Sequence, residues 1–60
     1  MIFYVIMVKR NDGKIYTDLH KVKDMKFYLT YDAAYGAFLE IAQGERINWH
    51  IVEMIAEITN

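Results

Sequence analysis

The 60-residue sequence has no cysteine, no proline and no serine, and only three glycines. Without cysteine there is no disulfide, no thiolate nucleophile and no sulfur ligand for a metal, and the composition fits a reducing compartment, with cytoplasm as the expectation. Without serine, the hydroxyl nucleophiles reduce to Thr17, Thr30 and Thr59. The glycines at 13, 36 and 44 are too dispersed to form a phosphate-cradling loop. Long apolar runs are missing too. Residues 1–8 are continuously apolar, but a membrane-spanning helix needs about 20 such residues. Lys9 and Arg10 follow that run where a secretory signal would place its charges ahead, and no small-residue cleavage site comes after them. A buried strand is the expectation there.

A large excess of either charge is absent as well: seven basic and eight acidic residues leave a net charge of −1. The charge is unevenly placed. Six of the basic residues lie within residues 1–30 against Asp12, Asp18 and Asp24, whereas Arg46 alone faces Asp32, Glu40, Glu45, Glu53 and Glu57 beyond them. This balance disfavours a dedicated phosphate-backbone binder and an acidic nucleic-acid mimic alike.

What the chain does have is oil: 55% of its residues are apolar and 15% aromatic. Residues 2–8 are apolar at even and odd positions, the pattern of a strand covered on both faces. Asn11, Asp12 and Gly13 supply turn chemistry for a hairpin. The returning strand, residues 14–19, alternates Ile15, Thr17 and Leu19 with Lys14, Tyr16 and Asp18, as an edge strand does. Residues 20–26 read as a loop. Thr30 is suited to cap a helix and Asp32 to complement its positive end, while Gly44 stands where a left-handed C-cap would fall. Between them Tyr31, Ala34, Tyr35, Phe38, Ile41 and Ala42 share one helical face. Residues 47–58 fit either period; strand is the expectation, because a third strand completes a sheet under the helix. The predicted fold is α+β, a single ββαβ domain. Its three-stranded antiparallel or mixed sheet has the order 2-1-3, with the last strand antiparallel to the first and one helix packed on one face.

No catalytic signature emerges. His20 and His50 lack the spacing of a metal site or an acid–base pair, so no catalytic, metal or cofactor-binding residue is assigned and an enzyme is not expected. Two candidate surfaces remain. The first is protein-binding: one helix cannot cover both faces of so apolar a sheet, so the uncovered face is expected to form a homodimer or dock a protein. Its candidates are Tyr4, Ile6, Val8, Tyr16, His50, Val52 and Met54. The second is a basic, aromatic patch of Lys14, Lys21, Lys23, Lys26 and Tyr28, where bases could stack beside cations. Gly36, in the polar stripe of the helix, could mark the close approach of another backbone there.

The run Phe27-Tyr28-Leu29-Thr30-Tyr31-Asp32-Ala33-Ala34, followed by a helix and then Trp49-His50-Ile51-Val52-Glu53, resembles the layout of short bacteriophage accessory proteins. The resemblance implies a small, non-enzymatic protein of the host cytoplasm that inhibits or modulates a host or defence protein by contact. The alternative is a nucleic-acid-associated regulator using residues 14–26. No membrane role is expected.

Overall fold

The computed structural model describes residues 1–9, 12 and 19–57. Its elements are β1 (Ile2–Val8), α1 (Tyr31–Leu39) and β2 (Trp49–Ile55), with single 3-10 turns at Leu19–Lys21, Lys23–Met25 and Arg46–Asn48. The ambiguous final segment is thus a strand over Trp49–Ile55. It lies antiparallel to β1 in an unbroken register from Ile2 opposite Ile55 to Val8 opposite Trp49. No helix among the described residues is long and apolar enough to cross a membrane.

The expected three-stranded sheet of order 2-1-3 is overturned, since among the described residues the sheet has two strands, β1 and β2. Residues 14–18, the bulk of the expected second strand, lie outside the described residues, as does most of the turn before them, and Leu19 belongs to a 3-10 turn. The edge of β1 on which that strand would have paired is occupied by a strap, residues 22–28. Tyr4 N donates to Tyr28 O at 2.7 Å and Tyr28 N donates to Tyr4 O at 2.8 Å. Further along, Met7 bridges to Val22. The strap therefore satisfies backbone groups that a third strand would otherwise have taken.

Helix α1 starts as its local chemistry predicts: the Thr30 hydroxyl oxygen accepts from Ala33 N at 3.2 Å, and Asp32 sits in the first turn. It ends at Leu39, earlier than Gly44 implied. Gly44 has no left-handed φ and is not the cap. Instead the Arg46 guanidinium folds back, donating to the carbonyls of Ile41 at 2.9 Å and Leu39 at 2.5 Å. It thereby pairs orphan carbonyls at the negative end of the helix dipole.

Successive strand residues face opposite ways, so the register divides the sheet into two sides. Tyr4, Ile6 and Val8 share one with Glu53, Ile51 and Trp49; Phe3, Val5 and Met7 share the other with Met54, Val52 and His50. Helix α1 lies against the first, where the Tyr4 ring meets Tyr31 edge-on at 5.8 Å. On the second, Val5, Met7 and Val52 cluster with Val22 of the strap. Both sides are buried at their centre: Val5 and Met7 are 0% exposed and Ile6 2%. The expected helical face is correct at Ala34 and Ile41, which are buried, but Tyr31 and Tyr35 remain about half exposed and stack on each other instead, 6.1 Å apart.

Candidate interaction surfaces

The residues predicted to form one protein-binding face are divided between the two sides of the sheet. Tyr4, Ile6 and Val8 lie on the helix side; His50, Val52 and Met54 lie on the other; Tyr16 is outside the described residues. Ile6 and Val52 are buried. These seven therefore do not make a single surface, and the bare sheet face from which they were inferred is filled from within the chain at Val5, Met7 and Val52. The period-two reading found each strand's faces, but the pairing register that assigns a face of β2 to a face of β1 is a long-range property.

Apolar surface is exposed at one end of the sheet instead. Met1, Phe3, Phe27 and Leu29 enclose a shallow hollow of about 250 Å³ with no charged or polar side chain among its lining. Its wall is built by the strap. Because Tyr28 is locked beside Tyr4, the alternation of an extended chain turns Phe27 and Leu29 to the opposite side. There the Phe27 ring meets Phe3 edge-on, centroids 5.6 Å apart. Leu29 stays 71% exposed and Met1 64%, and at the same end of the sheet Ile2 and Ile55, paired across the strands and facing its other side, are exposed as well. Leu29 and Met1 were not singled out from sequence. The parity of Phe27 and Leu29 about Tyr28 was the available signal.

The basic patch is partly assembled. Lys23, Lys26 and Tyr28 line a cleft of about 340 Å³ between the strap, the end of α1 and Trp49, with Ile6 also in its lining. Lys21 is exposed and does not line it, and Lys14 is outside the described residues. The Lys23 ammonium lies 5.3 Å from the Trp49 ring centroid, a cation–π distance, and 3.3 Å from the Asp24 carboxylate. Asp24, Glu40 and Glu45 line the same cleft, so its carboxylates outnumber its ammonium groups and it offers no net attraction to a phosphate backbone. At its rim Asp24 and Met25 are both left-handed, with φ of 55° and 54°. Asp tolerates that conformation, whereas Met does so only at a steric cost.

His50 sits opposite Met7, and burial, followed by the nearby charge of Lys9, lowers its pKa below the ordinary 6.5. Its Nε2 is shielded from solvent and makes no hydrogen bond. Among the described residues no three His, Asp or Glu side chains are grouped to hold a metal ion. At Gly36 an added Cβ would meet nothing within 4 Å, so no contact within the chain requires glycine there. Comparisons with protein-family models, with curated proteins and with solved structures find no match.

Proposed function

We propose that this chain is a small, non-enzymatic protein-binding module of the cytoplasm, host cytoplasm if phage-encoded, that inhibits or modulates a protein partner by direct contact. One observation carries the reading: Met1, Phe3, Phe27 and Leu29 form an apolar hollow at the surface, while the same strand buries its centre completely. Side chains exposed in this way lose water only when another surface covers them, and a concave apolar site suits an apolar anchor of a partner.

The deciding experiment is affinity capture with the wild-type chain and with Leu29→Asp. Leu29 is so exposed that its replacement leaves the core intact. The expected result is a stoichiometric protein recovered by the wild type and lost with the variant. Equal recovery by both overturns the reading. Recovery of nucleic acid alone favours the second reading, in which bases stacked on Tyr28 and Trp49 beside Lys23 and Lys26 outweigh the carboxylates of the same cleft. Binding of that kind would weaken steeply with salt and on neutralising Lys23 and Lys26.

A further inference from the structure

The outer edge of β2 is an open backbone surface. Met1 and Ala56 exchange both of their backbone hydrogen bonds at 2.8 Å, and Lys9 N donates to Asn48 O at 2.9 Å. In an antiparallel pair, bonded and non-bonded positions alternate. Counting inward from both ends, His50, Val52 and Met54 bond to β1, while Trp49, Ile51, Glu53 and Ile55 direct their N–H and C=O groups away from it. The same alternation turns Tyr4 outward on β1, and Tyr4 does give both its groups to Tyr28. On β2, the Trp49 N–H is taken by Arg46 O. Among the described residues, no backbone hydrogen bond reaches the outward groups of Ile51, Glu53 and Ile55.

Edges of this kind are usually blunted by lysine, proline or a bulge. Here the chain has no proline, the register runs without a bulge, and Glu53 is the one residue of β2 with a charge at neutral pH other than His50 when protonated. A two-stranded sheet is also marginal alone and gains from further strands.

We infer that the occupant of this edge is a second copy of the chain, its β2 antiparallel to the first about a two-fold axis at Val52. That register sets Ile51 opposite the partner's Glu53 and Trp49 opposite the partner's Ile55. Every outward-facing residue then meets another outward-facing residue, as hydrogen bonding across an antiparallel pair requires. A two-fold at Glu53 would oppose two carboxylates, and one at Ile51 would leave Ile55 unpaired. The product is a continuous four-stranded sheet, β1-β2-β2-β1. The apolar hollow lies on the β1 side, away from the new seam, so dimerisation and partner capture are separable and the inference goes beyond the proposed function.

Light scattering from micromolar to millimolar concentration, combined with amide hydrogen exchange, tests it. The expected mass is twice 7.1 kDa at high concentration. The Ile51 and Glu53 amides should be protected there and exposed on dilution, while His50, Val52 and Met54 stay protected throughout. Glu53→Pro removes an N–H that no bond within the chain uses, so it should leave the β1–β2 ladder intact while weakening the dimer about a hundredfold. A monomer at every concentration overturns the inference. So does a dimer whose Ile51 and Glu53 amides exchange freely, or one that Glu53→Pro leaves unchanged. Should the proline variant fail to fold, the wild-type exchange pattern decides. Leu29→Asp should dimerise as the wild type does whatever becomes of partner capture.

Discussion

The centre of β1 and its first residue are made of the same kind of side chain and meet opposite fates. Val5, Ile6 and Met7 are buried to 2% exposure or less, while Ile2 is 51% exposed beside a 71% exposed Ile55. Hydropathy cannot explain the difference. The covering elements do: α1 lies on the side of Ile6, while the strap crosses β1 at Met7 with its buried Val22, then at Tyr4 with Tyr28, and turns Phe27 and Leu29 outward. The strap therefore helps to seal the centre of the sheet and widens the apolar surface at its end.

The most direct way to break this comparison is to truncate one side chain in each region, the buried centre and the exposed apolar end. Met7→Ala removes a fully buried side chain from a close-packed cluster and should cost about 2–5 kcal/mol. For a chain of this size the whole stability is roughly 3–9 kcal/mol, so urea denaturation followed by circular dichroism should find the variant largely unfolded or shifted to a much lower midpoint. Leu29→Ala should move that midpoint by no more than about 0.5 kcal/mol. Equal losses at the two positions would mean that Leu29 is packed after all.

How far the sequence could anticipate this division depends on the range of each interaction. The start of α1 was legible because its cap is local, a Thr30 hydroxyl accepting from an amide three residues on. Both strands were legible from β-branched and aromatic residues and apolar periodicity. The end of α1 was not, because its carbonyls are held by a side chain seven residues beyond Leu39, and Arg46 carries no mark of that role. Nor was the sheet edge. Residues 14–19 alternate as a strand should, but the described edge of β1 belongs to Tyr28 and Val22 of a stretch read largely as a loop. The division of the candidate surface between the two sides of the sheet has a related cause, because which apolar residues stay exposed depends on where the strap crosses, and that is fixed by contacts distant in sequence.

The strap itself offers a sharper test. Between its two anchoring crossings it turns through Asp24 and Met25, both left-handed, and Met25 is 54% exposed with little packing to offset the strain. Met25→Gly should relieve about 1–2 kcal/mol of steric cost and lose part of that to the greater freedom of glycine in the unfolded chain, roughly 0.4–1 kcal/mol. The expected outcome is a modest net stabilisation in the same denaturation experiment. Destabilisation would show that the Met25 side chain, and not the crossings at Val22 and Tyr28, holds the strap over the buried centre.

The smallest expected effect is on pH dependence. His50 is a titratable ring on the Val5 and Met7 side of the sheet, opposite Met7, and burial together with the Lys9 charge lowers its pKa. Burial first, and then the Lys9 charge, disfavour its proton, so the folded chain takes one up less readily than the unfolded chain does. Near neutrality both states hold the ring neutral and it contributes no pH dependence. As pH falls below the unfolded value of about 6.5, the unfolded state binds the proton first and stability declines, levelling once pH has passed below the lowered folded pKa. Partial exposure of the ring keeps the effect small. Urea midpoints of the wild type and His50→Gln between pH 7.5 and pH 5 isolate it: the wild type should lose more stability on acidification than the variant. Parallel curves would mean that the ring is solvated in both states, and that the buried centre of the sheet stops short of residue 50.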